Sequence, residues 1–150
     1  MTTFHVAQRM DFAQVAPRIF KAVLALDAAA RVGLDPVLLE LVQIRASQIN
    51  RCAYCIDYHT SDARRAGERE ERIHQLSAWE ESSVFTTKER AALALTEAMT
   101  QLAGGVSDEV WDEVADEFDE TELAQLIALI FTVNTWNRMN VTTRKTPGAL

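Results

Sequence analysis

The sequence is poor in residues that interrupt helices. Its 150 residues include only five glycines and three prolines, and most of these stand where a helix would begin or end. No stretch alternates apolar and polar side chains over enough residues to predict a strand. No repeat or low-complexity tract divides the chain. We therefore predict an all-α fold and a single domain over residues 1–150.

Positive charge is also scarce. Fifteen Lys and Arg against 22 Asp and Glu give a formal net charge of −7, which argues against nucleic-acid binding and against docking on anionic lipid. The longest apolar stretch, residues 123–133, is much shorter than the roughly 20 residues that a membrane-spanning helix needs. The first residues lack the pattern of a secretory signal. We expect a cytoplasmic protein with no nucleic-acid or membrane partner.

Capping residues mark the ends of the expected helices. Asp35 followed by Pro36 is typical of a helix start, Thr86 and Glu89 form a capping box, and Ser107 opens another helix. The predicted helices cover approximately residues 13–32, 36–49, 51–66 with a cap at residue 50, 70–79, 87–102, 108–118 and 121–140. Residues 141–150 are predicted to fray.

Two of these helices have no clear polar face. Apolar side chains surround most of helix 36–49 and of the segment 123–133. Such helices are buried, either at the centre of a domain or against another subunit. In a chain this short, two of them predict a homo-oligomer.

The chain has only two cysteines, Cys52 and Cys55. In a reducing compartment, such a closely spaced pair is more often catalytic or metal-binding than a permanent structural bridge. On a helix, spacings of three and four residues place Cys52, Cys55 and His59 on one face. We predict that this face points inward, among small apolar side chains.

This arrangement suits thiol chemistry. The reactive form of cysteine is the thiolate, whereas a free thiol with a pKa of about 8.5 is mostly protonated at neutral pH. The helix N-terminus favours negative charge, and His59 is placed to accept a proton from Cys55. The second thiol, Cys52, can convert an oxidised first thiol into a disulfide. These features predict a thiol oxidoreductase.

Other interpretations stay open. The two thiols and His59 would supply three ligands of a zinc site, with Glu40 as the fourth, or the cysteines would be unrelated core residues. Glu40 also belongs to a narrow polar stripe with Gln43 and Ser47. That stripe is either solvent-exposed or faces the Cys–His surface of the next helix, where the carboxylate would orient His59. A thioredoxin-like site is not expected, because strands are lacking.

The complete spacing is Glu40, eleven residues, Cys52, two residues, Cys55, three residues and His59. It resembles the Glu…Cys-x-x-Cys-x-x-x-His signature of the alkylhydroperoxidase D-like branch of the carboxymuconolactone decarboxylase superfamily. The resemblance extends over about residues 15–140 in helix order and gap lengths. Residues 134–141 also resemble a segment common among close relatives.

The resemblance implies an all-helical subunit that assembles into trimers or hexamers and reduces organic hydroperoxides without metal or flavin. It also implies that Cys55 is the peroxidatic thiol near His59. Cys52 is then the resolving thiol, more accessible to an electron donor, and His59 and Glu40 form the proton relay. The donor would be a dithiol on a lipoyl or thioredoxin-like protein.

Tyr54 departs from the best-known members, which have histidine at this position. A phenol titrates near pH 10 and cannot relay protons at neutral pH as imidazole does.

Two other functions stay open. One is a redox sensor or oligomeric binding module without turnover, and the other is a lactone decarboxylase. His5 and His74 are predicted to lie outside the site. The tryptophans are predicted in the core or in an interface: Trp79, Trp111 and Trp136.

Overall fold

The structure is a computed structural model and describes residues 1–148. All regular elements within these residues are helical, which confirms the predicted all-α fold. The α-helices are α1 (Phe12–Val15), α2 (Pro17–Ala30), α3 (Pro36–Ile49), α4 (Ala53–Arg65), α5 (Glu70–Gln75), α6 (Thr87–Thr100), α7 (Asp108–Glu117) and α8 (Glu120–Thr143). Short 3₁₀ helices cover Leu76–Glu81 and Leu102–Gly104.

Helix α3 lies at the centre of the domain and packs against α4, α6 and α8. One side of α3, with Leu38 and Val42, joins a core cluster with α6, α7 and α8. The other side, with Leu41 and Ile44, joins a second cluster that includes Ala63 of α4 and residues of the 3₁₀ segment. The burial of α3 on both sides explains why its sequence lacks a polar face. No helix within residues 1–148 is both long and apolar enough to cross a membrane.

The predicted caps hold the helix starts as expected. The Asp35 carboxylate accepts a hydrogen bond from the backbone N–H of Val37 at 2.8 Å. Thr86 and Glu89 form the reciprocal capping box at the start of α6. Ser107 accepts from the backbone N–H of Val110 at the start of α7. These boundaries were predictable because a cap depends on residues within one turn of it.

The predicted boundaries differ from the structure at Pro17 and at the end of α8. Pro17 divides the predicted first helix into α1 and α2, because proline lacks an N–H and its ring clashes with the preceding helical turn. At the other end of the chain, α8 continues to Thr143, so the first part of the segment predicted to fray is helical. Residues 149–150 of that segment lie outside the described residues.

The junction between α3 and α4 also differs from the prediction. Asn50 ends α3 instead of starting α4, and the first residue of the predicted helix, Arg51, adopts a left-handed conformation with φ of 55°. The N–H groups of Arg51 and Cys52 donate to the carbonyls of Gln48 and Ser47. This is the Schellman pattern, which satisfies the last carbonyls of a helix while the chain turns. Cys52 then caps α4.

The left-handed conformation of Arg51 gives a test of this junction. Arg51→Gly should raise the free energy of unfolding by a few tenths to about 1 kcal/mol, because a side chain in this region costs about 1–2 kcal/mol and glycine gives back part of that through its unfolded-state entropy. Arg51→Val should lower stability by about 1 kcal/mol or more, because a β-branched residue fits this region poorly. Urea denaturation measures both changes.

Arg138→Gly is the matched control for the junction. Arg138 is an exposed residue within α8, where glycine should destabilise the helix by about 1 kcal/mol. If Arg51→Gly destabilised the protein as much as Arg138→Gly does, the left-handed assignment at Arg51 would be wrong.

Candidate thiol–disulfide site

Both cysteines lie at the N-terminus of α4. Their sulfurs are joined in a disulfide, and their Cα atoms are 5.3 Å apart. The backbone N–H of Cys55 donates to Cys52 Sγ at 3.3 Å, so the Cys52 sulfur occupies the place that a serine or aspartate oxygen takes at other helix starts. The two residues are buried, with 1% and 3% of their surfaces exposed. The helix N-terminus therefore acts directly on the sulfur of Cys52.

Glu40 and His59 meet between α3 and α4, with 3.0 Å between Glu40 Oε2 and His59 Nδ1. Glu40 is 9% exposed and its stripe partners Gln43 and Ser47 are fully buried, so the solvent-exposed interpretation of this stripe is wrong. A carboxylate can only accept a hydrogen bond, which assigns the proton of the neutral ring to Nδ1. Nε2 is then free to accept a proton on the other side of the ring.

Arg31, at the C-terminus of α2, balances the buried carboxylate. Its guanidinium donates to Asp27 at 2.8 Å and to Gln43 Oε1 at 2.9 Å, and lies 3.9 Å from Glu40 Oε1. Burial alone would lower the pKa of Arg31, but its bond to Asp27 and the nearby charges of Asp27 and Glu40 outweigh burial and raise that pKa. Asp27 also accepts from the indole N–H of Trp136 at 3.1 Å. Arg31 thus remains a cation behind Glu40.

Three asparagines of α8 form a buried row that ends at the cysteines. Asn50 donates to the side-chain oxygens of Asn134 and Asn137, both at 2.9 Å. Asn137 donates to Ser47 Oγ at 3.0 Å. Asn140 Nδ2 lies 3.4 Å from Cys55 Sγ and donates to it. The row therefore links α3, α8 and the sulfur of Cys55.

A cavity of about 180 Å³ opens at Cys55 and His59. Its lining residues come from α2, α4, α8 and the segment after α8, and comprise Phe20, Leu24, Asp27, Arg31, Tyr54, Cys55, Tyr58, His59, Trp136, Asn140 and Lys145. Cys52 does not line this cavity and is the more deeply buried of the two cysteines. The greater accessibility expected of Cys52 is therefore wrong, because its side chain turns back over the start of α4.

Tyr54 forms part of the cavity wall. Its ring stacks on that of Tyr58 with centroids 6.2 Å apart, and Lys145 Nζ lies 4.4 Å from the Tyr54 centroid. The ring of Tyr58 meets that of His59 edge-on at 5.2 Å. Burial and the charge of Asp62 raise the pKa of Tyr58, so this phenol is neutral at physiological pH. The two stacked rings give the site an aromatic wall.

Several of these residues are not predicted from the sequence. Arg31, Asn140 and Lys145 approach the site only through tertiary packing, although asparagine at every third position of an apolar helix is a visible signal of a buried polar row. Trp136 was predicted in the core or an interface and instead lines the cavity. His74 lies outside the site and pairs with Glu70. Within residues 1–148, no three His, Cys, Asp or Glu side chains are grouped to hold a metal ion.

Fold and site together define an all-helical protein with a Cys-x-x-Cys pair at a helix N-terminus and a buried Glu–His pair beside it. Residues 17–98 match the sequence profile of the carboxymuconolactone decarboxylase family. This match includes Glu40, both cysteines and His59. The chain belongs to that family, in its alkylhydroperoxidase D-like branch.

Several known proteins and solved structures are similar to this chain. The uncharacterised protein YdfG of Bacillus subtilis (strain 168) is 37% identical over 138 residues, which cover 91% of this chain and 94% of that protein. A structure from Agrobacterium tumefaciens, of a candidate antioxidant defence protein AhpD of unknown function, matches with a TM-score of 0.91 and 35% identity over 94% of this chain and 99% of that chain. The debrominase Bmp8 shares the fold, with a TM-score of 0.79 and 22% identity over 91% and 74% of the two chains. The predicted alkylhydroperoxidase D-like fold is confirmed, and it is a fold on which enzymes are built.

The contact between Asn140 and Cys55 predicts a change in thiol acidity. Asn140→Asp keeps the shape of the side chain but replaces the amide donor with a carboxylate, so the pKa of the Cys55 thiol should rise by about one unit or more. Asn140→Leu removes the donor without adding a negative charge and should raise that pKa by less. The measurement is the pH dependence of alkylation of reduced protein by iodoacetamide, made with Cys52→Ser so that Cys55 is the single thiol. Folded variants with the unaltered pH profile would show that Asn140 does not stabilise the thiolate.

Proposed function

We propose that this protein is a thiol-dependent peroxidase that reduces organic hydroperoxides through Cys52 and Cys55. The observation that carries the proposal is the position of Cys55 beside a cavity that His59 also lines. Behind His59, Glu40 holds Nδ1 at 3.0 Å. A nucleophilic sulfur, a proton-transfer group oriented by a carboxylate and room for a small molecule thus meet at one place.

In the first step, the thiolate of Cys55 attacks the distal oxygen of the hydroperoxide. The O–O bond breaks, Cys55 becomes a sulfenic acid after a two-electron oxidation, and the alcohol leaves with a proton from His59. Glu40 stabilises the imidazolium that supplies this proton. The amide of Asn140, which contacts Cys55 Sγ, stabilises the thiolate before the attack.

In the second step, Cys52 attacks the sulfenic sulfur of Cys55. The S–S bond forms and the oxygen leaves as water. The Cα separation of 5.3 Å lies within the usual range for disulfides of about 4.4–6.8 Å. The start of α4 can therefore hold the pair in bridged form without any change of fold.

In the third step, a dithiol donor reduces the disulfide and is itself oxidised to a disulfide. The burial of Cys52 favours attack by the donor on Cys55 Sγ from the cavity side. Cys52 then leaves as a thiolate at the helix N-terminus, where the N–H of Cys55 already donates to its sulfur. A stabilised leaving thiolate accelerates thiol–disulfide exchange. A lipoyl or thioredoxin-like protein, as in the resemblance above, would present such a dithiol.

A thiol count after one equivalent of cumene hydroperoxide tests the cycle. The reduced protein should lose both thiols, and a small dithiol such as dihydrolipoamide should restore them. Cys52→Ser should stop at a Cys55 sulfenic acid, detectable by mass after trapping with dimedone. Cys55→Ser should consume no hydroperoxide above the background rate.

Two outcomes would contradict this cycle. If Cys55→Ser consumed hydroperoxide as fast as the unaltered protein, Cys55 would not be the attacking thiol. If the disulfide formed and changed the oligomer size without repeated turnover in the presence of dithiol, the protein would be a redox sensor instead.

The Glu40–His59 pair gives a second prediction. Glu40→Gln keeps the shape of the side chain but removes its charge, so the rate of Cys55 oxidation should fall on the order of 10², within the range that general acid–base catalysis supplies. Glu40→Asp should recover part of the rate. Stopped-flow oxidation measured across pH should show an altered pH profile for Glu40→Gln.

Glu97→Gln is the matched control for Glu40→Gln. Glu97 is a half-buried carboxylate that bonds Arg45 and Trp79, away from the cysteines. Its loss should lower stability but leave the pH profile of oxidation unchanged. An effect of Glu97→Gln on that profile as large as that of Glu40→Gln would mean that Glu40 acts only through stability.

A further inference from the structure

Lys145 is a positive charge in the wall of the cavity at Cys55, and the proposed cycle does not use it. Lys145 lines the cavity with its Nζ 4.4 Å from the centroid of the Tyr54 ring. Among residues 1–148, no carboxylate forms an ion pair with Lys145. An ammonium over an aromatic face is attracted by the ring but keeps its donors for another partner.

The backbone directs Lys145 to this place. Arg144 ends α8 in the left-handed conformation, with φ of 55°. The N–H of Lys145 then donates to the carbonyl of Asn140 at 2.9 Å, which is again the Schellman pattern. Asn140 is also the residue whose side chain contacts Cys55. The same turn of α8 therefore positions both the cation and the contact to the sulfur.

The other two formally charged side chains of the cavity wall form an ion pair, and Arg31 also faces the buried Glu40. Arg31 and Asp27 pair with each other at 2.8 Å, and Asp27 also accepts from Trp136. The rest of the wall is mostly aromatic or aliphatic. Among residues 1–148, an anionic group that enters this cavity therefore meets a cation at Lys145 that has no ion-pair partner, and the carboxylate of the wall, Asp27, is already paired with Arg31.

From this arrangement we infer that the cavity selects a small organic hydroperoxide that carries a carboxylate. The carboxylate binds Lys145 Nζ, the apolar body lies against Tyr54 and Trp136, and the hydroperoxide group reaches Cys55. The volume of about 180 Å³ is below the roughly 300 Å³ at which sites for drug-sized ligands begin, so the body is a single ring or a short chain. This inference rests on the proposed peroxidase function for its reactive group, but the carboxylate site can be tested without turnover.

Binding of an unreactive pair of ligands tests the carboxylate site. We expect 4-isopropylbenzoate to bind about tenfold or more tightly than 4-isopropylbenzamide, because only the benzoate forms a charge-assisted hydrogen bond. Lys145→Met should abolish the difference and Lys145→Arg should keep most of it, as measured by calorimetry on the disulfide form. Lys21→Met, at an exposed lysine of α2 that does not line the cavity, should leave the difference intact. Equal affinity for the two ligands, or a preference that survives Lys145→Met, would overturn the inference.

Turnover then separates this inference from the proposed function. The expected result is a kcat/KM for para-carboxylated cumene hydroperoxide about tenfold or more above that for cumene hydroperoxide, expressed mainly in KM and lost in Lys145→Met. Consumption of both hydroperoxides at equal efficiency would refute the substrate class and leave the peroxidase function standing. A benzoate preference without consumption of either hydroperoxide would refute the peroxidase function and retain the carboxylate site.

Discussion

The contact between Glu40 and His59 ties the central helix to the helix that bears the cysteines, and the geometry of the site depends on it. A carboxylate removed from water costs several kcal/mol unless charges and hydrogen bonds compensate it. On α3, that compensation comes from His59 at 3.0 Å and from Arg31 at 3.9 Å. A rotation of α3 or a shift of α4 would leave the carboxylate buried without partners. The packing that satisfies Glu40 is therefore also the packing that sets His59 and Cys55 at one cavity.

The buried asparagines of α8 restrict the position of that helix in the same way, because they also need hydrogen-bond partners. Amide side chains both donate and accept, so each must find a complementary group when it is buried. The side-chain oxygens of Asn134 and Asn137 accept hydrogen bonds from Asn50, and the amide nitrogen of Asn137 donates to Ser47 Oγ. An unsatisfied buried group costs about 1–3 kcal/mol, so a slip of α8 by one turn would be penalised at several positions together. The register that avoids this penalty also places Asn140 at the sulfur of Cys55.

The sequence was sufficient for the features that depend on local rules. The caps at Asp35, Thr86 and Ser107 follow from residues within one turn, and the helical spacing alone brings Cys55 and His59 to one face of α4, whereas Cys52 lies before the first helical residue. Whether Glu40 faces solvent or the next helix depends on the orientation of α3, which is set by tertiary packing.

Some other features could not be predicted from the sequence, and the physical reasons are clear. The left-handed conformation of Arg51 is unusual for a residue other than glycine, and no neighbouring residue type predicts it. Arg31 and Lys145 reach the cavity from segments far apart in sequence, so no spacing rule connects them to the cysteines. The break at Pro17 was visible in the sequence, since proline within a helical pattern ends or bends the helix. The asparagine row was visible as well, as polar residues repeated on an apolar helix.

The charge distribution decides how a substrate can be selected at this site. The whole chain carries a net charge of −7, so at a distance the protein repels anions. Such repulsion fades over about 8 Å at physiological ionic strength, which is short compared with the size of the domain. Within the cavity an anion is attracted locally at Lys145, because Asp27 is paired with Arg31 while Lys145 has no ion-pair partner among residues 1–148. Selection of an anion must then come from short contacts at the cavity. A substrate whose acidic group binds the Lys145 ammonium must be short enough for its reactive oxygen to lie at Cys55.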